Sequence, residues 1–139
     1  MMTIHSKERL LGRRVLVTGA ASGIGLATAH RMIGEGATVM LADARQEALT
    51  QVGSTIGSDH GTVLCDVGDE NSVKAALSAT CERMGGLDTL ACCAGIIRSE
   101  PTATMELADW DSIIRVNLTG TFLTIKHALP QLVAAGRSA

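Results

Sequence analysis

The sequence predicts an open, doubly wound α/β fold built on a parallel sheet, and three observations carry that reading. Four short apolar runs, at residues 15–18, 38–43, 62–66 and 89–93, recur at regular intervals with helical periodicities between them. The runs are nearly continuous rather than alternating, as expected of strands covered on both faces. The first run leads into Thr18-Gly19-Ala20-Ala21-Ser22-Gly23-Ile24-Gly25, a glycine turn that opens a helix-like pattern. The order β-α-β-α-β-α-β-α, with right-handed crossovers, closes into a parallel sheet. A ligand then belongs at the carboxyl ends of the strands, where the glycine turn lies.

Each element has its own justification. After the first strand, Leu26, Ala29, Met32 and Ile33 share one face at spacings of three and four. The second strand, 38–43, ends in Asp43, and residues 44–56 form a weaker helix stopped by Gly57. After the third strand, Val73, Ala76, Leu77, Thr80, Cys81 and Met84 make a clear helical stripe. Asp69 and Glu70 stand at its first turn, where the helix dipole favours negative charge. The fourth strand, 89–93, precedes a long helix over about 108–132. There Trp110, Ile113, Ile114, Leu118, Thr121, Ile125, Leu129 and Leu132 form one stripe, and Val116, Gly120 and Leu123 a second apolar line. A helix apolar on two sides packs on its own sheet and on something else. Pro130 should kink or end it.

Composition narrows the function classes. The 139 residues fit one domain spanning 1–139, with residues 1–10 a flexible N-terminus. Core volume must come from Val, Ile, Leu, Met and Ala, because aromatics make up 1% of the chain. A net charge of −2 offers no electrostatic case for nucleic acid or an anionic membrane. Arg115 and Lys126 interrupt the longest apolar stretches, so none spans a bilayer. The polar N-terminus lacks a secretory apolar segment, which makes the cytoplasm the expected location. Cys65, Cys81, Cys92 and Cys93 show no metal or CxxC spacing and read as reduced, buried hydrophobes, with Cys92 and Cys93 facing opposite sides of a strand. The histidines (5, 30, 60 and 127) are scattered and read as surface or satisfied residues, so no metal site is expected.

The glycine turn carries chemistry. Its glycines let the backbone approach an anion, and the N–H groups and positive end of the following helix bind it. Asp43 closes the second strand 18 residues after Gly25. A carboxylate there can accept from both hydroxyls of an adenosine ribose and would repel a 2′-phosphate. Ser22, inside the turn, is neutral. Both point to NAD over NADP, although the Arg45 guanidinium could still reach a 2′-phosphate. Taken alone, an Asp ending a strand is an ordinary turn residue; the glycine turn beside it favours the ribose role.

The chain resembles the N-terminal half of the short-chain dehydrogenase/reductase family. Thr18 to Gly25 match that family's Thr-Gly-x-x-x-Gly-x-Gly turn in full, which assigns Gly19, Ser22, Gly23, Ile24 and Gly25 to cofactor binding. Asp66-Val67 resembles its Asp-Val pair, where the carboxylate meets the adenine amine and the next backbone meets the ring. Cys92-Cys93-Ala94-Gly95-Ile96 resembles its Asn-Asn-Ala-Gly-Ile segment with both asparagines replaced. Thiols are poor hydrogen-bond partners, which puts the contact made by the second Asn in question at Cys93. Cys93, Ala94, Gly95 and Val116 join the cofactor-binding set by this resemblance. Asp109-Trp110-Asp111 and Val116-Asn117-Leu118-Thr119-Gly120 match the family's long fourth helix. Asn117 is the one catalytic position carried over, implied to help hold a water near a catalytic lysine. By itself, a mid-helix Asn reads as a buried, satisfied structural residue.

The resemblance implies a Rossmann-type sheet of order 3-2-1-4, truncated after the fourth strand and the long helix. It implies a small-molecule alcohol or ketone substrate, and a homo-oligomer, dimer or tetramer, for the full-length form. In this family a tyrosine moves the substrate proton, assisted by a lysine and a serine. This sequence has no tyrosine. The expectation is therefore a fragment: the cofactor-binding half of an NAD-dependent oxidoreductase, inactive alone. The alternatives are a non-catalytic NAD-binding module and a methyltransferase, which also follows a strand with glycines but leaves Ala94-Gly95 and Val116-Asn117 without a role.

Overall fold

The computed structural model describes residues 8–136. Among these, four parallel strands form one sheet in the order β3-β2-β1-β4. They are β1 (Arg14–Thr18), β2 (Thr38–Asp43), β3 (Gly61–Leu64) and β4 (Thr89–Cys92). Helices α1 (Gly23–Gly34), α2 (Gln46–Gly53) and α3 (Glu70–Met84) connect them. After β4 come α4 (Leu107–Ile113), a π-helical stretch (Ile114–Thr119) and α5 (Gly120–Ala135). The doubly wound α/β fold and the strand order agree with the sequence reading.

Strand pleating divides the core into two layers. Val15, Val17, Val39 and Leu41 point to one face, against Ala29 of α1 and Leu49 of α2. Leu16, Met40 and Ala42 point to the other, against Val73, Ala76 and Leu77 of α3 and Leu123, Ala128 and Leu132 of α5. Alternate residues of one strand thus serve opposite faces, and both faces are covered. At the start of β1, the buried Asp88 carboxylate accepts from Arg14 N at 3.0 Å and Arg14 Nε at 3.1 Å, tying β1 to the approach to β4.

Several expectations need correction. Of the expected flexible N-terminus, 1–10, residues 1–7 lie outside the described residues, and residues 8–10 are anchored to the body of the fold. Leu10 N donates to Glu35 O, and Arg9 places two hydrogen bonds, at 2.9 and 2.8 Å, on the Glu35 carboxylate. The third run is not covered on both faces. As the outer strand, β3 leaves Thr62 and Leu64 exposed. Helix α2 ends at Gly53, before Gly57, whose positive φ belongs to the following turn. Helix α5 continues through Pro130 to Ala135. Pro130 and Lys126 both lie on the exposed side, where water can take the carbonyl that proline leaves unbonded.

The largest correction concerns the long helix. Of the expected first stripe, Trp110, Leu118, Ile125 and Leu129 are open to solvent, Ile113, Ile114 and Thr121 are half-buried, and Leu132 is buried. The buried line is Gly120, Leu123, Thr124, Ala128 and Leu132. The side that meets the sheet continues the second apolar line, Val116, Gly120 and Leu123, at spacings of three and four, so the larger apolar residues of the first stripe are left mostly outside.

Candidate functional site

The carboxyl ends of the strands open onto a cleft of about 690 Å³. Gly19, Ser22, Gly23, Ile24 and Gly25 line it from the turn after β1, and Asp43 from the end of β2. Asp66 and Val67 line it beyond β3, Cys93, Ala94 and Gly95 beyond β4, and Val116 from the π-helical stretch. All twelve residues that the sequence assigns to cofactor binding meet in this one cleft. A hollow of about 650 Å³, between the end of α2 and β3, contains none of them.

The turn is built by close backbone approach. Gly19 has φ +64, and a Cβ there would come within 2.6 Å of Ala94 Cα. A Cβ on Gly25 would collide with the Gly19 carbonyl. Neither position tolerates a side chain. Gly23, by contrast, has no atom within 4 Å of where its Cβ would be, so space is left in front of the helix start. The N-cap residue of α1, Ser22, makes no capping bond to that helix, and no acidic residue occupies its first turn. The N–H groups and positive dipole end of α1 therefore face the cleft without internal compensation, which suits an anionic group such as a pyrophosphate.

Asp43 is buried and fully engaged. Its Oδ2 accepts from Ala21 N at 3.1 Å, and its Oδ1 from Arg45 N at 3.1 Å and Arg45 Nε at 3.0 Å. Burial alone would raise its pKa, but the hydrogen bonds from Arg45 and Ala21 outweigh that and hold the carboxyl below its ordinary value. It is an ionised acceptor at neutral pH. Arg45 also donates from Nη2 to Ser22 Oγ at 2.7 Å, so one guanidinium bridges the glycine turn and the end of β2.

On the β4 side, Thr18 Oγ1 accepts from Cys93 N at 3.2 Å and Ala94 N at 3.3 Å. Main-chain amides make these contacts, so a thiol at position 93 leaves the segment anchored to β1. Asn117 does not line the cleft; it fixes a residue that does. Its Oδ1 accepts from Ile96 N at 2.8 Å, and its Nδ2 donates to Ile96 O at 2.9 Å. The residue is exposed rather than buried on a stripe, and its amide is satisfied by main chain. Burial pushes the Cys65 thiol up to about 11 and raises that of Cys81; of the four cysteines expected to be buried only Cys65 is, with Cys81 and Cys93 half-buried and Cys92 exposed. Among the described residues no cluster of His, Cys, Asp or Glu could hold a metal ion. No helix there is long and apolar enough to cross a membrane.

Sequence reasoning missed Arg115, which lines the cleft and pairs with Asp66. It read that residue only as a charge interrupting an apolar run. Its partner Asp66 lies 49 residues away in the sequence, and periodicity carries no signal of such a contact.

The sequence pattern described as short chain dehydrogenase matches residues 13–139. The chain is 39% identical to the D-threitol dehydrogenase of Mycolicibacterium smegmatis, over 99% of this chain and 54% of the relative. It is 36% identical to the glucose 1-dehydrogenase of Gluconobacter oxydans, over 88% and 48%. It is 39% identical to a 2,5-dichloro-2,5-cyclohexadiene-1,4-diol dehydrogenase of Sphingobium indicum, over 93% and 53%. The chain spans about half the length of these curated relatives.

Proposed function

The chain belongs to the short-chain dehydrogenase family, and from that premise we propose that it is the dinucleotide-binding part of an NAD-dependent oxidoreductase acting on alcohols or ketones. The observation that carries this reading is the convergence of an open helix N-terminus, the ionised Asp43 and the Asp66-Val67 pair in one cleft. NAD supplies the hydride acceptor for this chemistry. The residues of the chain do the holding. The α1 amides and the open space at Gly23 take the pyrophosphate. Asp43 accepts from the ribose hydroxyls once Arg45 yields part of its carboxylate. Ala94, Gly95 and Val116 close the far wall, and Asn117 fixes Ile96 beside them.

The family members named above are dehydrogenases, which supports the reaction class for the whole protein. We assign residues 1–139 to a single dinucleotide-binding unit. Four cysteines without a disulfide suit a cytoplasmic setting. Calorimetric titration of the chain with NAD and NADP tests the reading: NAD should bind, and more tightly than NADP. Tighter NADP binding would overturn the cofactor assignment. A second reading, a non-catalytic NAD-binding module, is favoured by one fact: the sequence has no tyrosine to move a proton at the substrate.

A further inference from the structure

One charged pair in the cleft has no part in holding phosphate or ribose. Arg115 reaches from the π-helical stretch to Asp66, its Nη1 lying 3.2 Å from Oδ1 and 3.0 Å from Oδ2. Both side chains are about half exposed and both line the cleft. The order of the strands says what meets them. The phosphate cradle follows β1 and the ribose acceptor ends β2, so a base attached to that ribose extends outward over the end of β3. Adjacent strands lie about 4.8 Å apart, so one further strand is one sugar-to-base step away. Asp66 lies just past the end of β3, after Cys65. Ser112, the neighbouring hydroxyl, already donates to Ala108 O.

The hydrogen-bond inventory of the pair is decisive. Asp66 Oδ1 accepts from Gly68 N at 2.9 Å and from Arg115, and Oδ2 accepts from Arg115 alone. A carboxylate offers about four acceptor sites, so Oδ2 keeps one for a ligand N–H. Arg115 spends Nη1 on the carboxylate, and among the described residues no other partner takes its Nε or Nη2. The base end of the cleft therefore presents an acceptor and a donor side by side. A purine 6-amino group needs the acceptor, and a purine 6-oxo group needs the donor.

We infer that Asp66 and Arg115 together make the cleft tolerant of the purine 6-substituent, so that it takes a hypoxanthine dinucleotide about as well as an adenine one. This rests on the cleft being a dinucleotide site. An acceptor alone would set a carboxylate against the 6-oxo oxygen and reject it, because a site built for one hydrogen-bonding group strongly excludes its opposite. The guanidinium removes that conflict.

The test is calorimetric titration of the 139-residue chain with NAD and with nicotinamide hypoxanthine dinucleotide. For the unmodified chain, the two dissociation constants should agree within about fivefold, far from the discrimination of a single-purpose site. Arg115→Met should weaken the hypoxanthine ligand by about 10- to 100-fold more than it weakens NAD, the loss of a charged hydrogen bond. Arg115→Lys keeps a donor and should keep the tolerance, which separates a lost donor from a damaged fold. Discrimination by the unmodified chain above about 100-fold, or an equal loss of both ligands in Arg115→Met with no rescue in Arg115→Lys, would overturn the inference. Failure of the unmodified chain to bind either ligand would instead overturn the dinucleotide reading, and this inference with it.

Discussion

Asp43 and Asn117 show how a residue's partners decide what its substitution does. Asp43 is buried and charged, held by Arg45 and by the Ala21 N–H. Replacing it with Asn removes the charge that repels a 2′-phosphate and frees the Arg45 guanidinium to meet one. Preference should move toward NADP by about 1–3 kcal/mol, the scale of a hydrogen bond to a charged group. Competitive titration with the two dinucleotides measures it, and an unchanged ratio would remove Asp43 from the specificity argument. Asn117 spends both halves of its amide on Ile96. Asn117→Ala leaves that N–H and carbonyl to water and should lower stability by about 0.5–1.5 kcal/mol, read as a lower denaturant midpoint. If stability is untouched while NAD binding falls, the amide acts on the ligand rather than through the loop.

At the level of elements, the short connected pieces were legible and the long helix was not. The α1 and α3 stripes are where periodicity put them, because each helix has one apolar face and one sheet to cover. Asp69 caps α3 by accepting from Ser72 N, as its place before the stripe suggests. In the long helix, Val67 packs directly where a Cβ on Gly120 would stand, and that close approach fixes which side meets the sheet. A glycine among larger apolar residues gives no hint of this in a hydropathy pattern. Nor was the Glu70 contact visible: its carboxylate accepts from Lys126 Nζ at 3.0 Å and from His127 Nε2 at 2.6 Å, joining α3 to α5. Those two hydrogen bonds hold its pKa at about 2 against an ordinary 4.5. A folded value below the unfolded one means that the stabilisation is complete above about pH 4.5 and drains away as pH falls toward 2. Glu70→Gln should flatten part of the decline in melting temperature over that window. The effect will be modest, because the pair is partly exposed. Glu35, held at about 2 chiefly by its hydrogen bond from Arg9, should contribute to the same acid limb. An identical pH profile in the Glu70 variant would show that the α3–α5 contact does not depend on this ion pair.

Over the whole molecule, chemistry and association both follow from surfaces and groups already placed. With no tyrosine in the sequence, the chain by itself lacks the phenol that the family resemblance assigns to proton transfer, a contribution of roughly 10²–10⁴ in rate. It should produce no NADH from a panel of secondary alcohols, and steady turnover by chain free of contaminating dehydrogenases would refute this. Association is the sharper expectation. Leu118, Phe122, Ile125, Leu129 and Val133 recur at spacings of three and four from the π-helical stretch along α5 and are 45–68% exposed, with Trp110 of α4 also open. The outer edge of β4 pairs with nothing among the described residues, so its free main-chain groups lie next to exposed Cys92. A contiguous apolar helix face and an open strand edge both favour self-association. Light scattering should therefore show concentration-dependent species larger than a monomer, with binding of a hydrophobic dye. Phe122→Glu with Leu129→Glu places two charges on the exposed face without touching Leu123, Ala128 or Leu132 beneath it. This double variant should shift the chain toward monomer and reduce dye binding while the circular dichroism spectrum holds. If the unmodified chain instead gives a sharp monomer peak, a cooperative melt and no dye signal, these side chains are shielded in solution, and the stand-alone binding module gains over the half-enzyme.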